Sequence, residues 1–406
     1  ASLFSGQTLW FANASLNEDY IPLTASARLS TGAITAQLEN TYAIAGRVLD
    51  ANAQIHTVAN NSEPLVLRAG SQVVQLDALT INASASGPLA DLNWDLSAQA
   101  SQVETHDANV GEINLSAKGE GAQFSAQDMS IPMEASLRVN GIDLPADPEH
   151  QRIETATLSL QGTAFPIQKE LNLTELQLET DGANARFEVV ELSPENGRAQ
   201  GQISLSDLSV LSAFIGQELS GSVETSLSFL ADFDQMSGEI DLSGSSNRVS
   251  LQNERADRVL GSLSKFSAKL SATVDTSDLL ASTGHLDTLT FENTFGRIEA
   301  HGSLQDRQVD GALTVQVERL DLLDPRVVGA LNASGTVSGN VSAPDVSLQV
   351  QADRVEMDGT PLEQLQLSAD GTLSETTPNA DIDLSGMFEG QELIGKFKLV
   401  SDADKL

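Results

Sequence analysis

Residues that could carry out acid–base or metal chemistry are few in this sequence, and none is arranged for it. The five histidines, at positions 56, 106, 150, 285 and 301, show no spacing that metal sites use. The alternating carboxylates Asp232 with Asp234 and Asp381 with Asp383 lack the glycine turn and further oxygen ligands that calcium needs. Cysteine is absent, which excludes a thiolate metal site and a cysteine nucleophile. We therefore predict a protein that is not an enzyme and holds no cofactor or metal ion.

The charge balance limits the partners of this chain. It has 57 acidic and 22 basic residues, a formal net charge of −35. Such a surface repels phosphate backbones, so we predict that the protein does not bind nucleic acid. No apolar run is long enough for a membrane-spanning helix. Because the chain begins without Met or a signal-like apolar segment, we expect a mature product or an excised fragment.

Strict alternation of apolar and polar residues dominates the 406 residues. Leu313 to Val317 and Leu365 to Ala369 are two examples. A period of two places the aliphatic side chains on one face of a sheet and the polar ones on the other. Gly, Asn, Asp and Pro interrupt the pattern as turns do. We predict an all-β protein of amphipathic strands, with residues 1–406 forming one continuous repetitive segment without independent globular domains.

The chain also repeats itself. Residues 94–119 align without gaps on residues 346–371, and nine of the 26 pairs are identical. A shorter motif, as in Leu173-Thr-Glu-Leu176-Gln-Leu178, recurs through the chain. Its first apolar residue breaks the alternation, so we expect that residue at a turn or β-bulge. Such repeats predict an architecture in which each unit packs only against its neighbours.

Helical patterns are scarce. The best candidate runs from Leu208 to Ile215 after a possible Asp207 cap, and a second, from Leu320 to Leu331, is interrupted by Pro325. We therefore predict one or two short helices, which are too few to cover the aliphatic face of a long sheet.

The main question that the sequence raises is what buries that aliphatic face. With two Trp and two Tyr, the chain lacks the aromatic residues that usually fill sandwich cores. Two arrangements remain. Either the sheet curls into a narrow solenoid that fills itself, or it forms a long trough whose open side holds an apolar ligand.

Residues 208–227 and 331–359 show a common order of elements: a short apolar helix, a Leu-x-Gly step, alternating strands, and a Gly/Ala-Pro turn before the next strand. In this order the two stretches resemble the TamB family, the inner-membrane subunit of the translocation and assembly module. The resemblance extends over most of the chain. It implies an elongated, curled, taco-like sheet with an apolar groove, as in AsmA-like bridge-type lipid transfer proteins.

The resemblance also implies a cellular role. Members of this family act in the periplasm in outer-membrane biogenesis, anchored to the inner membrane, with an Omp85-type outer-membrane partner such as TamA. We expect this chain to be an internal segment of such a protein. It would carry phospholipid acyl chains along its groove, assist assembly or secretion of outer-membrane proteins, or do both.

The residues that we expect to line the groove share one face of their strands. They are Leu79, Ile81, Ile113, Leu115, Leu176, Leu178, Leu227, Phe229, Leu289, Phe291, Leu313, Val315, Leu348, Val350, Leu365 and Leu367. The alternative at these positions is a closed hydrophobic core. The alternative class of protein is a secreted adhesin built like an autotransporter passenger, which is a structural β-solenoid.

Overall fold

The structure, a computed structural model, describes residues 9–16, 22–31, 34–43, 47–58, 64–69, 72–105, 108–125, 128–143, 152–212, 217–275, 282–374 and 378–400. Most of these residues lie in β-strands. The chain divides into two compact units, which we name unit 1 (Ala1–Pro194) and unit 2 (Glu195–Leu406).

Unit 1 is built from strands in its described part. They are Leu9–Leu16 (β1), Pro22–Thr31 (β2), Ile34–Ala43 (β3), Val48–Val58 (β4), Leu65–Ala69 (β5), Gln72–Leu76 (β6), Ala78–Pro88 (β7), Leu92–Glu104 (β8), Asn109–Phe124 (β9), Met129–Asp143 (β10), Arg152–Phe165 (β11), Glu170–Thr180 (β12) and Ala183–Leu192 (β13).

Unit 2 contains both strands and short helices. Its strands are Asn196–Leu205 (β14), Ser220–Asp232 (β15), Ser237–Ser250 (β16), Ser264–Thr273 (β17), Thr283–Glu292 (β18), Gly296–Gln305 (β19), Gln308–Val317 (β20), Val327–Gly329 (β21), Leu331–Asn340 (β22), Asp345–Met357 (β23), Thr360–Thr372 (β24), Asn379–Phe388 (β25) and Gln391–Val400 (β26). Its helices are the α-helix Glu254–Leu260 (α1) and 3-10 helices at Leu208–Leu211 and Leu320–Leu322.

The strands pair antiparallel and mostly with their sequence neighbours. In unit 1, β1 to β4 pair in order, β4 pairs with β7, and β7 to β13 pair in order. Strands β5 and β6, which come between β4 and β7 in the sequence, pair with each other, and β6 also pairs with β8 at Gln75 and Glu104. In unit 2, β14 to β20 pair in order, β20 pairs with β22, and β22 to β26 pair in order.

This architecture confirms the all-β prediction, because the strands form long antiparallel sheets with a single α-helix among the described residues. Antiparallel hairpins also differ from the parallel coils of the passenger-type β-solenoid that was the alternative. The continuity of one groove segment over residues 1–406 stays a prediction.

The sequence repeat is also a structural repeat. Residues 94–119 belong to hairpin β8–β9, and residues 346–371 belong to hairpin β23–β24. A constant offset of 252 residues converts nearly all the residue pairs of the first hairpin into those of the second. Val103 and its equivalent Val355 are both buried. The same hairpin therefore occurs in both units and buries the same end.

The recurring short motif introduces β-bulges. Between Leu173 and Leu176, and between Leu286 and Leu289, one extra residue interrupts the register with the preceding strand. The extra residue returns the first leucine to the apolar face, and Leu173 is buried there. The prediction that this leucine lies at a bulge or turn is confirmed at both places.

The helix predictions are partly wrong in type and extent. The segment predicted from Leu208 to Ile215 is a 3-10 helix at Leu208–Leu211, and residues 213–216 lie outside the described part. Asp207 caps it as predicted, because its Oδ1 accepts the N–H of Ser209 at 2.9 Å.

The second predicted helix, over Leu320 to Leu331, is only the 3-10 helix Leu320–Leu322. The chain beyond it pairs as β21 with β23 instead of continuing as a helix. Pro325 explains the early end, because proline disfavours helical conformation in the residue before it.

The strand ends of each unit form two rims, and the longer connections lie at one of them. We call this the capped rim. In unit 2 it carries the connections that contain the 3-10 helices, α1 and β21, whose described residues are 206–212, 217–219, 251–263 and 318–330. In unit 1 it carries the β5–β6 hairpin and the connection between β8 and β9, where the N–H of Thr105 donates to the carbonyl of Ala108. The opposite rim has shorter connections, such as residues 233–236, 306–307 and 341–344, and we call it the turn rim.

Buried aliphatic clusters lie at the capped rim of both units. In unit 1, Leu65 and Leu76 of the β5–β6 hairpin pack with Val103. In unit 2 the buried cluster consists of Phe295, Val317, Leu320, Ala352 and Val355. Val259 of α1 packs against that second cluster. These clusters hold the covering elements against one end of the apolar face. The covering elements are the β5–β6 hairpin in unit 1, and α1 and the 3-10 helix Leu320–Leu322 in unit 2.

Candidate functional site

In unit 1 the six predicted groove residues lie on one continuous apolar face. Directly opposite residues of paired strands share a face, so pairing can be followed from strand to strand. The central row of register partners reads Leu29, Ala36, Ile55, Ile81, Ala98, Leu115, Leu137, Leu158, Leu178 and Ala185. Leu79 and Ile113 lie in the adjacent row nearer the capped rim, and Leu176 lies in the row on the other side.

In unit 2 the ten predicted residues likewise share one face. The central row of register partners reads Leu227, Leu242, Ala268, Leu289, Ala300, Leu313, Gly335, Leu348, Ala369, Ile382 and Phe397. Phe291, Val315, Val350 and Leu367 lie in the next row toward the capped rim.

The remaining two unit 2 residues flank those rows. Phe229 lies on the side of the turn rim, opposite Ile240. Leu365 lies at the capped rim, opposite buried Ala352. Register therefore places all ten on one face of unit 2, as it places the other six on one face of unit 1.

The middle of this face is not covered by other described residues. None of the sixteen predicted side chains is fully buried. Leu313 is 43% exposed and Leu348 is 38% exposed, although both lie in the centre of an apolar row. Contiguous exposed aliphatic surface of this kind usually marks an interaction site.

The capped rim differs from the middle because part of the predicted set packs there. Leu79 and Ile113 contact the unit 1 cluster, and Val315 and Leu365 contact the unit 2 cluster. The apolar face of each unit thus has a closed end and an open middle.

Hydrogen bonds hold α1 against its neighbours at the capped rim of unit 2. Arg258 of α1 donates through Nε to the carbonyl of Leu322 at 2.9 Å. Asn293 donates through Nδ2 to the carbonyl of Val259 at 2.8 Å.

Two carboxyls near the capped rim have lowered pKa values. Asp257 accepts the N–H of Leu251 at 2.7 Å, and this bond lowers the pKa of its carboxyl. A bidentate pair with Arg326 likewise holds the pKa of Asp324 well below its usual range.

The opposite face of the sheet is polar and charged. The alternating carboxylates Asp381 and Asp383 lie 3.2 Å and 3.0 Å from the ammonium groups of Lys398 and Lys396 on the neighbouring strand. These aspartates form cross-strand ion pairs. A depression on the polar face of unit 1 is lined mostly by serines and charged residues.

Groups suited to catalysis are dispersed. His56 and Thr80 form a hydrogen bond of 2.9 Å, and His285 lies 3.2 Å from Asp287. His106 and His150 lie outside the described residues. Within the described ranges, no group of three or more His, Asp or Glu side chains is placed to hold a metal ion. In the same ranges, no helix is both long and apolar enough to cross a membrane.

Together these features define a class of protein: an antiparallel sheet of repeated hairpins with one acidic face and one aliphatic face that is open in its middle. The family model described as TamB, N-terminal domain, matches residues 23–388. The chain therefore belongs to the TamB family, as the sequence resemblance implies. No curated protein and no solved structure matches it significantly.

Proposed function

We propose that this chain is a non-enzymatic, periplasmic segment of a bridge protein that carries phospholipid acyl chains along its apolar face. The observation that supports this most is the central row of unit 2, where eleven register partners present mostly aliphatic side chains and the middle ones stay exposed. A face of this kind binds hydrocarbon without a polar anchor that would hold it in one place. The acidic face on the other side keeps the sheet in water.

The energetics favour a sliding ligand. Shielding an acyl chain of about 16 carbons from water is worth on the order of 10 kcal/mol, at about 0.8 kcal/mol per methylene. A bilayer offers nearly the same shielding. A continuous aliphatic face therefore makes transfer between two membranes close to neutral in free energy, while free diffusion through water is strongly opposed.

Membership of the TamB family supports the wider setting of this proposal. We propose that the chain acts in outer-membrane biogenesis, between an inner-membrane anchor and an Omp85-type partner such as TamA. A second cargo, an unfolded outer-membrane protein strand, is suggested by the same family. The exposed aliphatic middle favours acyl chains, because they need no backbone hydrogen bonds.

Lipid content of the purified chain tests the proposal. We expect phospholipid to co-purify from a detergent-free preparation, because the exposed face gains by covering its aliphatic side chains. Solvent extraction followed by mass spectrometry would identify the lipid. A protein of similar charge from the same cells is the control. Lipid at the control's level, also after incubation with vesicles, would refute the proposal.

A further inference from the structure

The turn rim carries a backbone motif that recurs in both units. At six turns, the first residue beyond the strand, or the last residue of the strand, donates its N–H to a carbonyl of an adjacent turn or loop, with N···O distances of 2.7 to 3.0 Å. In each case this donor is a large apolar residue. The six are Leu89, Phe124, Phe233, Val274, Val341 and Leu373.

These six residues continue the apolar face. Each lies two positions beyond a small residue of that face, as Val341 follows Gly339 and Leu373 follows Gly371. An interval of two residues along an extended chain keeps the side chain on the same side of the sheet. The motif therefore extends the aliphatic face by one large side chain at the ends of β7, β9, β15, β17, β22 and β24.

Five of the six side chains of this motif are exposed, and Leu89 is half-buried. Val274 is 42% exposed, Phe233 is 45% exposed and Leu373 is 59% exposed. Three pairs of these residues follow strands that lie two apart in the sheet, so the two side chains of a pair are about 10 Å from each other. The pairs are Leu89 with Phe124, Phe233 with Val274, and Val341 with Leu373. The cross-turn hydrogen bonds fix this row in place without burying it.

The capped rim has the same cross-turn hydrogen bond, but its donors there are the N–H groups of the acidic residues Glu318 and Asp358. There the cluster around Phe295 and Leu320 and the helix α1 cover the apolar face. Exposed apolar residues such as Leu263 and Met357 do occur at that rim. However, the covering elements lie at that end of the face, so the rim is closed to a chain moving sideways.

We propose that acyl chains reach the aliphatic face of each unit sideways, across its turn rim, and that the motif residues of that unit, two in unit 1 and four in unit 2, form an apolar lip for this passage. The inference rests on the proposed function and adds the route by which acyl chains reach the aliphatic face. Acidic residues stand next to the lip, including Asp234, Asp275 and Asp345. Carboxylates repel anionic head groups, so the lip suits zwitterionic phospholipid.

The rate of lipid uptake distinguishes the two rims. The probe is a phosphatidylcholine vesicle that contains a fluorescent-acyl phosphatidylcholine, and uptake is followed in the purified chain. The lip variant combines Val274→Ser, Val341→Ser and Leu373→Ser. The matched control combines Leu263→Ser, Met357→Ser and Phe388→Ser, three exposed residues of the capped rim.

We expect the lip variant to take up lipid about tenfold more slowly, because the chain loses apolar contacts in transit. Its final lipid per protein changes far less than its uptake rate, because the three residues lie at the edge of the apolar face and its central rows are unaltered. Uptake by the lip variant at the parent rate, or equal slowing in the control, would refute entry across the turn rim. Absence of uptake by the parent chain would instead refute the proposed function. Circular dichroism confirms that both variants fold, and single substitutions replace any triple that does not.

Discussion

The substitution Leu313→Glu is expected to weaken lipid binding strongly in the middle of unit 2 while leaving the fold intact. Leu313 is 43% exposed in the central apolar row, so its replacement removes little buried surface and changes stability by less than about 1 kcal/mol. A carboxylate that must lie against hydrocarbon loses hydration. We expect this to weaken binding by on the order of 3 kcal/mol, about a hundredfold in affinity.

Thr314→Glu is the matched control for this substitution. Thr314 is the next residue on the same strand, is exposed, and points to the polar face. Bound lipid per protein and the midpoint of thermal unfolding are measured for both variants. If Leu313→Glu unfolds the chain, the face is a closed core. If it binds lipid as Thr314→Glu does, hydrocarbon does not occupy this row.

The second large effect concerns the capped rim. Phe295 is buried among Val317, Leu320 and Val355. Phe295→Ala removes its ring and leaves a cavity, so we expect a loss of about 3 to 5 kcal/mol in the free energy of unfolding. Hydrogen exchange in β20 and β23 is the direct measurement, because local opening of this rim exposes their amides.

Phe397→Ala serves as the control for this effect. Phe397 is the same residue type in the same unit but is 60% exposed, so we expect a change of about 0.5 kcal/mol or less. Equal exchange in the two variants would show that the cluster does not hold the rim closed. A loss confined to Phe295→Ala would support the division into a closed end and an open middle.

Much of this fold is readable from local sequence. Alternation alone predicts the strands and assigns each aliphatic residue to a face, because the side-chain period of a strand is fixed at two. The bulge positions follow from the same parity, as Leu173 and Leu286 show. For that reason the sequence alone could predict that residues such as Leu313 and Leu348 share one face.

The elements that cover the capped rim, α1 and the β5–β6 hairpin, could be predicted less well from the sequence. Helix α1 has only seven residues, yet its signal is present, with Asn253 as N-cap and Gly261 at its end. The β5–β6 hairpin reads like any other pair of strands. Its role follows from the packing of Leu65 and Leu76 on Val103, a distant contact that no local pattern encodes. The open middle depends on the same long-range information.

A photo-crosslinking residue placed in the full-length protein in cells tests the central claim most directly. Position 348 lies in the open middle of the apolar face, and position 349 is its neighbour on the polar face of the same strand. We predict phospholipid adducts when the probe replaces Leu348 and none when it replaces Gln349. Adducts only to protein at position 348, or equal lipid capture at both positions, would contradict the account.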